Sequence, residues 1–233
     1  MNPYVLLAIF GVPVFFMILT VITGRLEKRL VWQYGDFLQQ PPYPDSANYA
    51  LRMATEAMQS GWTLLGWAAD PRAPGYRINY ALLTSPEREY FATISEGSIF
   101  KLATKGATIY SRTFDGNVFY TTDNQTGVQI DLIWRSQLAP VKTFSRLVER
   151  HLGLLRDKKL SAQPFPNGRE AEEFRRMREE RYETMARRGL IDYLDASRAS
   201  WHFTLWGALR YTFLNFTIGI VRAKTGGQVF RCI

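Results

Sequence analysis

Apolar and polar positions change rhythm several times along the chain, and each change marks an element. Tyr4 to Thr23 (YVLLAIFGVPVFFMILTVIT) carry no charge over twenty positions, enough at about 1.5 Å per helical residue to cross about 30 Å of hydrocarbon. Only a helix satisfies the backbone amides of a lone segment in lipid, and Gly11 and Pro13 are tolerated there. A cleaved signal peptide is the rival, but no positive n-region precedes the run, its length is excessive and no A-x-A site follows. The pattern predicts a transmembrane anchor over 1–24, with Tyr4, Phe10, Phe15 and Phe16 among its anchoring side chains. Arg25, Lys28 and Arg29 stand just beyond it, so the positive-inside rule places the N-terminus outside and the following body in the cytoplasm.

Residues 25–45 read as a juxtamembrane amphipathic helix, with Leu26, Leu30 and Phe37 on one side, followed by a proline-rich linker through Pro41, Pro42 and Pro44. An α+β domain over 46–160 comes next. Asp45 or Ser46 can cap a helix whose apolar stripe is Ala50, Met53, Ala54, Ala57 and Met58, ending before Gly61. The period then shortens to two: Tyr76, Ile78, Tyr80 and Leu82 alternate with polar or small residues, as do Val128, Ile130, Leu132 and Trp134. Pro71 to Gly75, Ser85 to Arg88, Asp115-Gly116 and Asp123 to Gly127 supply the turns, Asp115-Gly116 being a strong hairpin signal. Pro140 opens a helix with a stripe of Phe144, Leu147, Val148, His151, Leu152 and Leu155. The fold class is α+β: an antiparallel sheet of five to six strands with helices packed on one face.

Residues 161–195 form a charged helical region, in which Arg169 to Arg188 holds seven arginines and six glutamates with a thin stripe of Ala171, Phe174 and Met185. That pattern reads as a solvated helix laced with i,i+3 and i,i+4 pairs. In 196–233 the stretch Trp201 to Val221 reads as an aromatic helix with Arg210 near its middle. Lying on the membrane is favoured, with Trp201, Trp206 and Phe213 at the interface and Arg210, Arg222 and Lys224 reaching water or headgroups. Packing as a core helix and spanning compete with it; spanning is penalised by about 2.5–3.5 kcal/mol for a central arginine. The tail from Thr225 reads as frayed.

Charge adds a preference for anionic partners: 29 basic against 21 acidic residues give +8 and a pI near 9.7. Twenty-two of the 29 basic residues are arginine, the bias of a high-GC bacterial source and hence of an inner-membrane location. The near balance within Arg169 to Arg188 disfavours nucleic acid.

Candidate chemistry changes the picture little. One cysteine, Cys232, and two histidines, His151 and His202, exclude an internal disulfide framework and an all-Cys/His zinc site. Phosphate-binding glycine loops, the nucleophile elbow, H-E-x-x-H and EF-hand patterns are missing from the sequence. His151 lies on an apolar helical face and reads as structural. The residual acid–base set is Asp115, Asp123 and Asp131, of which Asp115 and Asp123 are better explained as turn residues. No catalytic residue, metal site or cofactor is assigned. The expectation is a membrane-anchored, non-enzymatic accessory protein that contacts membrane lipid and a protein partner. The alternatives are a lipid-binding module, built on Tyr76, Tyr80, Tyr90, Phe91, Tyr110 and Tyr120, and a tethered hydrolase using the aspartates.

Overall fold

The computed structural model describes residues 18, 22, 28–29, 37–69, 76–99, 102–123, 134–139, 141–198, 200–213 and 229–231. In chain order these give β1 (Lys28–Arg29), α1 (Asn48–Gln59), β2 (Thr63–Ala69), β3 (Tyr76–Thr84), β4 (Phe91–Ile99), β5 (Leu102–Arg112), β6 (Val118–Thr122) and β7 (Arg135–Leu138). Then follow α2 (Phe144–Asp157), α3 (Glu170–Arg187), β8 (Ile191–Tyr193), β9 (Ser200–Phe203), helix α4 over 205–213, and β10 (Val229–Arg231).

Five consecutive strands, β2 to β6, form an antiparallel meander. β7 joins β6 in parallel, and β10 pairs antiparallel with β7 to complete the order β10-β7-β6-β5-β4-β3-β2. The expected hairpin forms at Asp115-Gly116, where the Asp115 carboxylate accepts from the Thr113 hydroxyl and the Asn117 amide. The strand expected at Val128 to Trp134 lies outside the described residues except for Trp134, and β7 starts one residue later.

Helices cover both faces of this sheet, which corrects the expectation of one covered face. On the first, Ala81, Leu83, Ala92, Ile94, Ala107 and Ile109 pack under Met53 and Ala57 of α1 and Phe144 and Leu147 of α2. On the second, Leu82, Phe91 and Tyr120 pack under Phe165 and under Phe174 and Met177 of α3, with Phe174 stacked on Phe91 at 4.1 Å. The sign of this lay in residues 81–85, all buried, because a strand covered twice loses its polar alternation. α3 is accordingly more than a solvated helix. Its apolar stripe continues through Tyr182 and Met185 into a separate core around the second sheet, while Arg181 lays its guanidinium 5.2 Å from the Trp134 ring centroid.

Several local expectations are also revised. α1 begins at Asn48 after a 3-10 turn, Pro44–Ser46, with Ala47 at the N-cap and no side-chain cap, while Glu96 accepts from the Ala50 amide at 3.0 Å. Met58 is exposed rather than buried, and Gly61 follows the helix with φ +87°. The proline-rich segment is docked, not a free spacer: buried Asn79 accepts from the Tyr43 amide at 2.8 Å and donates to the carbonyls of Tyr43 and Ser46. Just before it, Leu38 bridges Trp67 on β2. Gly66 permits that approach, since a Cβ there would lie 2.4 Å from Phe37 Cβ. α2 starts at Phe144 under a Thr143 cap rather than at Pro140, which lies outside the described residues, and Leu154 is buried where Leu152 is exposed.

A second sheet, ordered β1-β9-β8, joins the two ends of the chain. Lys28 pairs with Trp201 and Arg29 with Ser200, so these basic residues sit on a strand instead of the juxtamembrane helix expected there. β8 and β9 form a hairpin across the boundary expected at residue 195. The frayed tail is revised as well, because Val229 to Arg231 pair with Leu138 to Ser136.

Candidate functional site

The C-terminal aromatic stretch divides into two elements. Trp201 and Phe203 alternate with Ser200 and His202, a period of two that builds β9, and Thr204 then caps α4 by accepting from the Gly207 amide at 2.9 Å. Trp201 is therefore a core residue at 7% exposure, packed against Tyr182 and Phe203, and not the interface side chain expected. α4 rests on the small sheet through its small residues. A Cβ on Gly207 would lie 1.9 Å from the Leu190 carbonyl oxygen, and Ala208 and Thr212 are buried beside it.

The opposite side of α4 is apolar and exposed. Leu205, Trp206, Leu209 and Phe213 are 54%, 62%, 39% and 66% exposed, and their spacing places them on one helical face. Of the expected interface set, Trp206 and Phe213 belong to this face, Arg210 is half-buried, and Arg222 and Lys224 lie outside the described residues. Leu205 and Leu209 are also on the outside. Tyr4, Phe10, Phe15, Phe16 and Arg25 also lie outside the described residues; Ile18 and Ile22, from the same apolar run, are helical and exposed. Among the described residues no helix is long and apolar enough to cross a membrane.

Of the residues considered for chemistry, Asp115, Asp123 and His151 are engaged within the fold. Asp115 is engaged in its turn. Asp123 is buried, accepting from the Tyr49 hydroxyl at 2.5 Å and the Ala107 amide at 2.5 Å, and the turn expected after it, 124–127, lies outside the described residues. Burial pushes its carboxyl above the usual carboxylate range, against the opposing effect of those two donors, and also pushes the Tyr49 hydroxyl up. Asp131 lies outside the described residues. His151 is fully buried between Thr121 Oγ1, 2.9 Å from Nδ1, and Ser111 Oγ, 3.1 Å from Nε2, and desolvation lowers its pKa to about 3. A neutral ring between two hydroxyls satisfies all three groups. No group of three or more potential ligands that could hold a metal is found among the described residues.

Described residues also line three grooves, of about 460, 490 and 520 Å³, in which charged side chains are prominent. Along α3 the charges neutralise one another: Arg169 pairs with Glu172, Arg175 with Glu179, and Arg112 and Arg176 share Glu173. The third groove is different. Tyr49 and Arg52 of α1, Lys105 of β5, Asp123, and Val141, Lys142 and Thr143 before α2 surround it. Sequence reading missed this cluster because its members come from segments far apart in the chain and share no motif. Of the aromatic strand residues proposed to hold an apolar ligand, Phe91, Tyr110 and Tyr120 pack in the core beneath α3, the Tyr110 ring centre lying 5.7 Å from that of Tyr120 and 4.9 Å from that of Phe174.

No protein-family model, curated protein or solved structure matches the chain.

Proposed function

We propose that this is a membrane-anchored, non-enzymatic interaction protein whose second sheet and α4 form its bilayer-facing base. The observation that carries this reading is the exposed face of Leu205, Trp206, Leu209 and Phe213. It starts four residues after Trp201, the pairing partner of Lys28, and Lys28 follows the uncharged run of Tyr4 to Thr23 by five residues. The chain's two most apolar ends are thus tied by one small sheet. Large apolar side chains each gain about 1.5–3 kcal/mol on full burial, so a face of four favours a covering phase strongly.

In this reading residues 1–24 span the inner membrane of a bacterium with the N-terminus outside. Arg25, Lys28 and Arg29 lie at the cytoplasmic headgroups, Trp206 and Phe213 dip into the interface, and Arg210, Arg222 and Lys224 stay at the headgroup level. The seven-stranded sheet stands on the cytoplasmic side as a platform for a protein partner. The engaged states of Asp115, Asp123 and His151 support a non-enzymatic role.

Alkaline carbonate washing of membranes carrying the full chain tests the anchor. The protein is expected to stay in the pellet, and release into the wash would contradict the reading. Purification of the same chain in mild detergent, with mass spectrometry of what accompanies it, then identifies the partner.

A further inference from the structure

The groove beside Tyr49 brings together three cations, Arg52, Lys105 and Lys142, with the carboxylates of Asp123, Glu56 and Glu96 nearby. Arg52 stands one helical turn beyond Tyr49, and its guanidinium carbon lies 5.6 Å from the centre of the Tyr49 ring; Lys105 Nζ lies 5.5 Å from the same centre. Arg52 Nη1 donates to the Lys142 carbonyl at 3.3 Å, which keeps the helix cation next to the third one. None of Arg52, Lys105 and Lys142 makes an ion pair among the described residues.

Three carboxylates near the groove are already used, and Glu96, opposite Lys105 across the strand pair, accepts from the Ala50 amide at 3.0 Å. Asp123 turns its oxygens to the Tyr49 hydroxyl and the Ala107 amide, which fixes the tyrosine ring as a rigid wall. Glu56 is spent on the N-terminus of α2, accepting from the Phe144 amide at 3.1 Å and from the Ser145 amide at 3.0 Å and its hydroxyl at 2.9 Å. The first turn of α2 is thereby satisfied, so any anion in the groove is held by side chains rather than by the helix end. The contrast with α3 is one of pairing. On α3 the arginines pair directly with glutamates three or four residues away, whereas Arg52, four residues from Glu56, and Lys105, opposite Glu96, form no ion pair with carboxylates that accept from backbone amides instead.

We propose that this groove binds a phosphate-bearing anion of phosphomonoester class, with Arg52 as the forked donor and Lys105 and Lys142 as point charges. A volume of about 520 Å³ accommodates a phosphate with a small attached alcohol such as a glycerol headgroup. The phosphate can come from a lipid headgroup or from a soluble metabolite; the chemistry of recognition is shared. The proposal does not depend on the membrane reading, since the groove and the α4 face use different residues.

The test uses the full chain in a nonionic detergent. It is titrated calorimetrically with inorganic phosphate, with glycerol 3-phosphate and, in mixed micelles, with phosphatidic acid against phosphatidylcholine. Binding of at least one phosphate compound is expected, weakened about tenfold or more by the pair Arg52→Gln and Lys142→Gln. Arg175→Gln with Arg176→Gln on α3 is expected to leave it unchanged. Binding of glycerol 3-phosphate without preference for phosphatidic acid assigns a soluble source, and binding of phosphatidic acid alone assigns a lipid headgroup. Absence of binding to all three, or binding that the groove pair leaves unaltered, overturns the proposal. Should the pair fail to fold, Lys105→Gln, on an exposed strand position, is read by the same criterion.

Discussion

The seven-stranded sheet is buried by apolar side chains on both faces, whereas the three-stranded sheet supports a helix whose large apolar residues remain outside. In the first region α1, α2 and α3 bring Met53, Phe144, Phe174 and Met177 to the strands; α2 and α3 leave mainly charge on their outer sides, and α1 leaves polar residues with Leu51 and Met58. In the second, α4 docks through Gly207, Ala208 and Thr212 and keeps Leu205, Trp206, Leu209 and Phe213 exposed. A core uses its bulky residues for internal packing; α4 uses its small ones on the sheet, and its bulky set is exposed.

That difference predicts a graded response to substitution. Phe174→Ala removes the ring stacked on Phe91 in the larger core and is expected to destabilise by about 3–5 kcal/mol, read by denaturant unfolding. A loss below about 1 kcal/mol would mean that α3 is dispensable to the second face of the sheet.

Acid is expected to act next most strongly, through His151. Its folded-state pKa of about 3 lies below its ordinary value of 6.5. The corresponding stability is present above the ordinary value and is lost as pH falls from there towards the folded-state value, on the order of a few kcal/mol in all. Asp123 acts in the opposite sense, because protonating a carboxyl with a raised pKa relieves a buried charge. Unfolding of the chain and of His151→Leu at stepped pH separates the two: the variant should lose the decline between the two histidine values, and an unchanged slope would remove His151 as its source.

Gly207→Ala tests the small side of the comparison. Its methyl meets the Leu190 carbonyl oxygen, so α4 must lift from the sheet, at about 1–3 kcal/mol of local stability seen as faster amide exchange in β8 and β9. Least of all should follow from Leu205→Ser with Phe213→Ser. Exposed positions of this kind shift stability by about 0.5 kcal/mol or less, and a larger loss in detergent-free measurements of the folded body would show that the α4 face is already packed within the chain.

Much of the larger region was legible because its signals are local. The stripe of Ala50, Met53, Ala54 and Ala57 gave α1, the alternation from Tyr76 gave β3, Asp115-Gly116 gave a hairpin, and the charge rhythm of Arg169 to Arg188 gave α3. The second covered face was not read, because Ala171, Phe174 and Met185 look like a thin stripe until Phe91 and Tyr110 are known to lie beneath Phe174 and Met177. Trp201 to Phe203 was misassigned for a related reason. A run rich in apolar residues satisfies both periods, and the decisive local mark, Thr204 as a helix cap, is a single residue. The groove around Tyr49 had no sequence signal, since Arg52, Lys105 and Lys142 meet only through the pairing of β4 with β5 and the return of the chain to α2.

The contrast between Trp201 and Trp206 offers the most direct test, as the two are five residues apart and one is buried while the other is exposed. The full chain, reconstituted in liposomes whose lipids carry bromine near the headgroup, should show a quenched tryptophan component. Trp206→Phe should remove it, and Trp201→Phe should leave it in place. Quenching that survives Trp206→Phe unchanged would contradict a bilayer-facing α4.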